Sequence, residues 1–124
     1  MIRSFRFENL EIWQISIPVG DALFDIADNL EQRKLYRFAE QLRGAGMSIS
    51  NNIAEGTGTL SKKEFCQFLN YARRSCYECA NILIVIQRRG YILEETKQTL
   101  FNRLDELSRK ITNFQKSLTP PTAL

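Results

Sequence analysis

A chain of 124 residues with a net charge of +3 fits a single domain over residues 1–124, and its longest apolar run, Ile82–Ile86, is far too short to cross a bilayer. Hydrophobic residues make up 44% and charged residues 25%, which excludes a disordered polar tail and argues for an ordinary folded core. There is no histidine and there are three cysteines, so the commonest general base and one of the commonest zinc ligands are missing.

The opening residues Met1–Glu8 carry a charge near the start but neither an apolar core segment nor a small-residue cleavage site. The expectation is a mature start and a cytoplasmic protein with reduced thiols. Beyond this point every long segment has helical period. Leu10, Trp13, Ile17, Gly20, Phe24 and Ala27 step by three and four residues and predict a first helix over about 9–30, with a kink at Pro18 where a backbone donor is lost. Asn29 to Lys34 is polar and reads as a connection.

A second helix is expected over about 35–55. Leu35, Phe38, Leu42, Ala45 and Ile49 mark its apolar face, and Gly46, Ser50 and Ala54 form a line of small side chains that lets another backbone come close. Its last turns hold the most informative stretch, Ser48 to Gly58. Ser48, Asn52 and Glu55 form a stripe of hydrogen-bonding groups beside Ile49 and Ile53. Asn, Ser and Gly are poor helix formers, so a buried polar network or a site is expected there, with Gly56 and Gly58 supplying positive φ at the helix end.

Ser61-x-x-Glu64 is a capping box and opens a third helix over about 62–89. Phe65, Phe68, Leu69, Ala72, Cys76, Cys79, Ile82, Leu83 and Ile86 form its core face. Tyr71, Ala80, Ile84 and Val85 widen that face beyond one stripe, so a second partner surface is expected. Gly90 ends it. The fourth helix, about 94–118, repeats Leu100, Leu104, Leu107, Ile111, Phe114 and Leu118 as a heptad seam and stops before Pro120-Pro121. Four such helices with short loops make an all-α, up-down-up-down four-helix bundle.

Chemistry is sparse. Cys76-x-x-Cys79 lies inside a helical pattern with no second pair, so both thiols are expected in the core and no metal or cofactor is expected. Gly56-x-Gly58 before Ser61-Lys62-Lys63 has the wrong spacing for a nucleotide-binding P-loop and follows a helix. Glu55 and Glu78 are the carboxylates that could meet across the second and third helices, but they read better as members of a network with Arg43, Arg73 or Arg74, so no enzyme is expected. Lys62 and Arg73 are eleven residues apart, as are Lys63 and Arg74. Both pairs therefore share a helix face, giving a basic strip about 16 Å long that suits a phosphate backbone.

Several segments together resemble a known family. They are Phe7-Glu8-Asn9-Leu10-Glu11-Ile12-Trp13, then Gln41-Leu42-Arg43-Gly44-Ala45, then Ser48-Ile49 followed by Asn52-Ile53-Ala54-Glu55-Gly56-Thr57-Gly58. Next come Ser61, Glu64, Phe65, Phe68 and Leu69, then Ala72, Ser75 and Glu78, and finally Gly90-Tyr91. The chain resembles, over about residues 5–115, the four-helix bundle proteins encoded in intervening sequences of bacterial 23S ribosomal RNA genes. It departs from their pattern at Gly44 and Thr59, where arginines are common, at Arg74, where a small residue is usual, and at Pro18. The resemblance implies a homo-oligomeric ring, usually a pentamer. It also implies a likeness to the accessory proteins of diversity-generating retroelements, which contact a reverse transcriptase and nucleic acid. The expectation is an oligomer that binds RNA or DNA, with a protein-interaction scaffold as the alternative.

Overall fold

The computed structural model describes residues 5–118. After a 3-10 turn at Arg6–Asn9 come four helices: α1 (Glu11–Gln32), α2 (Tyr36–Thr57), α3 (Lys62–Arg88) and α4 (Glu94–Leu118). They pack in chain order, α1 on α2, α2 on α3 and α3 on α4, with α1 and α4 closing the ring of contacts more thinly. This is the expected up-down bundle.

Two of the three loops share one device. In both, a residue in the left-handed region ends the helix, Lys34 at φ 64° and Gly90 at φ 78°. The next amide then reaches back five residues: Leu35 N–H donates to the Leu30 carbonyl at 2.9 Å and Tyr91 N–H to that of Ile86 at 2.8 Å. This is the Schellman ending, which satisfies carbonyls that the helix itself leaves open. The two loops also touch. Arg33 Nη1 donates to the Tyr91 carbonyl at 2.7 Å and its guanidinium lies 5.5 Å from the Tyr91 ring centre, which Phe38 meets edge-on.

At the other end Ser61 caps α3, its hydroxyl accepting from Glu64 N–H at 3.1 Å. The expected reciprocal half of the box does not form. The Glu64 carboxylate instead faces the Ser61 hydroxyl at 3.5 Å. The 3-10 turn folds over this end: Phe7 packs at 5.0 Å from Trp13 and Arg6 lies over the Phe65 ring.

The core follows the expected stripes on α2, α3 and α4. On α1 it does not. Ile12, Ser16, Val19, Gly20, Leu23, Ala27 and Leu30 are buried, whereas Ile17 is exposed and Leu10, Trp13 and Phe24 are half-buried at the flank. The helix has two adjacent apolar lines. The aliphatic one enters the centre, and the line carrying the large rings lies at the rim, where the 3-10 turn covers Trp13. Pro18 sits on the exposed side of a helix that continues through it, where water can take the Gln14 carbonyl it leaves open.

Candidate nucleic-acid interface

The polar stripe of α2 faces α3 in part. Ser48 and Asn52 are half-buried, and Asn52 Nδ2 donates at 2.8 Å to both the Ser48 hydroxyl and the Ser48 carbonyl. The buried Ser75 of α3 lies 2.8 Å from the Ser48 hydroxyl and 3.0 Å from the Tyr71 carbonyl. Each hydroxyl has one proton and the Tyr71 carbonyl can only accept. The chain of donors therefore runs from Asn52 to Ser48, from Ser48 to Ser75, and from Ser75 to Tyr71. The bond between Ser48 and Ser75 carries this chain across the α2–α3 seam.

Glu55 is not part of this network. It is exposed, with no hydrogen bond or ion pair among the described residues. A step of three residues from Asn52 turns it about 60° further toward solvent, and without an ion pair among the described residues hydration wins over burial. It does not meet Glu78 either. Ser48 lies opposite Ser75 and Gly56 opposite Phe65 and Phe68, so the two carboxylates stand about ten residues apart along antiparallel helices, roughly 15 Å. Arg43 is committed elsewhere, to Asp28 at 2.6 Å and Glu31 at 2.8 Å on α1. Those hydrogen bonds, the one to Asp28 first, hold its guanidinium above its usual pKa.

The glycines of the motif serve a purpose other than the expected one. Neither has positive φ among the described residues, and Gly58 caps α2 at φ −86°. Gly56 is buried, and a Cβ there would stand 2.7 Å from the Phe65 ring and 3.1 Å from Phe68 Cβ. The requirement is room for α3 to approach. Ile53 beside it is in the core and Ala54 is half-buried.

Cys76 and Cys79 are buried as expected. Burial pushes the Cys76 thiol up to about 12 and raises that of Cys79 further. Both are neutral, inert side chains at physiological pH. Cys66 is half-buried near the α3 start, where Gln115 Nε2 donates to its carbonyl at 2.9 Å.

The basic strip divides. Lys62, Lys63 and Arg74 are exposed and form no ion pair among the described residues. Arg73 shares a face with Lys62 but stands two turns beyond Cys66, on the side of α3 that meets α4. Its side chain is half-buried, Nη2 donates to Asn70 Oδ1 at 2.9 Å, and Nε is buried without a partner among the described residues. Arg73 thus supports Asn70 and contributes less to the outer surface than its neighbours.

Beside the strip lies a groove of about 630 Å³. Lys62, Lys63, Cys66, Gln67, Asn70 and Tyr71 line it, and Leu118 of α4 borders it. Tyr71, expected to widen the apolar face, is 46% exposed, its ring braced edge-on by Phe68 at 5.9 Å. Sequence reading placed the two lysines but missed Gln67 and Asn70, because two amides one turn apart on a polar helix face carry no signal of their own.

A model of known sequence families matches residues 8–113 and is described as 23S rRNA-intervening sequence protein. This chain belongs to that family. Among solved structures, this chain is similar to a protein of unknown function from the S23 ribosomal protein family of Bacteroides thetaiotaomicron. The TM-score is 0.81 at 23% identity, covering 85% of this chain and 98% of the other. At that identity the likeness concerns the fold. Among curated proteins no match is found. No described helix is long and apolar enough to cross a membrane.

Proposed function

We propose that this protein is a non-enzymatic oligomer that acts by binding nucleic acid through the outer face of α3. The observation that carries this reading is the set of exposed cations Lys62, Lys63 and Arg74 on α3, without ion pairs among the described residues and with the two lysines lining a groove, on a chain of net charge +3. The lysine pair and, about 16 Å further along the same rigid helix, Arg74 suit separate phosphates of one backbone without reading bases, and repetition around a ring multiplies the attraction. The reading agrees with the nucleic-acid contacts expected from the likeness to retroelement accessory proteins.

Assembly has its own support. Tyr77 is 63% exposed, and with Ile84, Ala80 and Phe101 it lines an apolar groove of about 480 Å³ between α3 and α4. Val85 also lies open on α3. Copies joined through this surface would form the ring, five-fold by resemblance. The same surface favours the second reading, a scaffold that binds protein alone.

Polarisation with labelled RNA, single-stranded DNA and duplex at two salt concentrations separates these readings. Binding at ~50 mM salt should weaken steeply by ~200 mM as counterions are released. Replacing Lys62, Lys63 and Arg74 by Gln should weaken binding to every sequence alike and reduce the salt slope by roughly 2 to 3. No binding at ~50 mM overturns the nucleic-acid reading in favour of the scaffold. Sedimentation at the mass of a 14.4 kDa monomer overturns the assembly.

A further inference from the structure

Resting on the nucleic-acid reading, we infer that the groove at the start of α3 holds a single-stranded segment, with one base stacked on Tyr71 and phosphates of the same strand on Lys62 and Lys63 and, beyond the groove, on Arg74. A backbone-only site for a duplex needs cations and nothing else. This groove combines cations with an aromatic ring and two amides.

The ring is presented for contact. Tyr71 is 46% exposed on a rigid helix, and Phe68 packs at right angles to its ring, with centroids 5.9 Å apart. A phenol on a helix surface gives stacking area at little cost in ordering, and every base has a π-face to meet it. Inside a duplex the faces of the bases are already stacked on one another and cannot reach it.

The amides add polarity of a defined sense. Asn70 Oδ1 is taken by Arg73, and its Nδ2 has no recorded partner among the described residues. Asn70 therefore offers the two N–H donors of Nδ2 to the groove, while its oxygen already accepts from Arg73. The edge of an unpaired base carries the matching acceptors, carbonyl oxygens and ring nitrogens. Gln67, one turn before Tyr71, lines the same groove and can both donate and accept. A volume of about 630 Å³ lies within the range of small-ligand sites and has room for a base with its sugar.

The test uses the full chain and four fluorescein-labelled probes of about twelve nucleotides, within the range of known single-strand site sizes. The probes are a deoxythymidine strand, a uridine strand, an abasic deoxyribose-phosphate strand and a duplex. At ~50 mM salt both base-bearing single strands should bind at least about fivefold tighter than the abasic strand, the lower end of the range for one stacked base. Tyr71→Ala should erase that difference and leave affinity for the abasic strand unchanged, and Tyr71→Phe should keep it. Melting curves of both variants should match the wild type. Equal wild-type affinity for all four probes overturns the stacking site while the electrostatic strip stands. A Tyr71→Ala loss as large for the abasic strand as for the others also overturns it. Absence of binding to every probe overturns both readings.

Discussion

The seam between α2 and α3 and the seam between α1 and α4 close the same bundle by different means. Along α2 and α3, Gly56 lets Phe65 and Phe68 come against the backbone, the chain of hydroxyls from Asn52 to Tyr71 crosses between the helices, and Ile49, Ile53 and Leu69 are fully buried. Along α1 and α4 the helices meet more thinly, and the recorded cross-link is the ion pair of Lys110 with Glu11 at 3.4 Å. A groove of about 520 Å³ opens there beside Ala22, Ile26 and Leu100. The contrast teaches that tight approach is bought with side-chain volume, here a missing Cβ and two small hydroxyls. An exposed charge pair can bridge a gap but does little to close it.

The largest effect that sharpens this contrast is expected at Leu69. Leu69→Ala removes a fully buried side chain from the tight seam and should cost about 2–5 kcal/mol in denaturant unfolding, since a cavity there cannot collapse. Lys110→Ala should cost under about 1 kcal/mol. If the two costs are alike, the seams do not differ as described.

Gly56→Val should destabilise by about 1–3 kcal/mol, because the Phe65 ring and Phe68 backbone-proximal carbon both stand in the way. Gly44→Ala supplies the control. A Cβ there meets nothing within 4 Å on an exposed mid-helix position, so the exchange should stabilise by about 0.5–1 kcal/mol. A thermal melt in which Gly56→Val behaves like Gly44→Ala would show that no close approach exists.

Smaller still, Ser75→Ala should cost about 1 kcal/mol by breaking the hydroxyl chain at its buried link. Glu55→Ala should stay within about 0.5 kcal/mol, as for other exposed positions. A larger cost at Glu55 than at Ser75 would place the carboxylate in the seam after all.

The thiols give a pH test in the same order of size. Unfolded cysteine ionises near 9 while buried Cys76 holds its proton to about 12. Between those values the unfolded chain has lost a proton that the folded one keeps, so stability should fall as pH rises through that window. The fall should be shallower in Cys76→Ala.

Much of this bundle can be read from residue types. The seam of Leu100, Leu104, Leu107 and Ile111 admits one apolar line on α4, and the structure buries it. On α1 two lines compete, and hydrophobicity does not say whether Ile17 or Val19 goes inward; packing of the larger rings decides. The stripe of Ser48 and Asn52 points to a polar network, but its partner Ser75 lies 27 residues away from Ser48, and although Ser75 stands in a segment of the family likeness, no helical spacing ties it to Ser48. Gly56 looked like a backbone requirement and is a spatial one, which only the position of Phe65 reveals. On the strip, helical spacing puts Lys62 and Arg73 on one face, yet spacing does not show that the Arg73 guanidinium turns back to Asn70 with its Nε buried.

Leu118 borders the groove, and Arg6 lies over Phe65 one turn away. The first and last described residues therefore leave the bundle at the end that carries the candidate interface. For anyone building a reporter version of this protein, a label placed at Arg6 or Leu118 would sit beside the surface under test. The free thiol of Cys66 lies in that surface as well. The opposite end offers a cleaner attachment point: Leu93, at the start of α4, is exposed and lies the length of that helix away, about 37 Å. A dye on Leu93→Cys, with Cys66 replaced by Ser and the two core thiols shielded by burial, would report on binding without standing in its way.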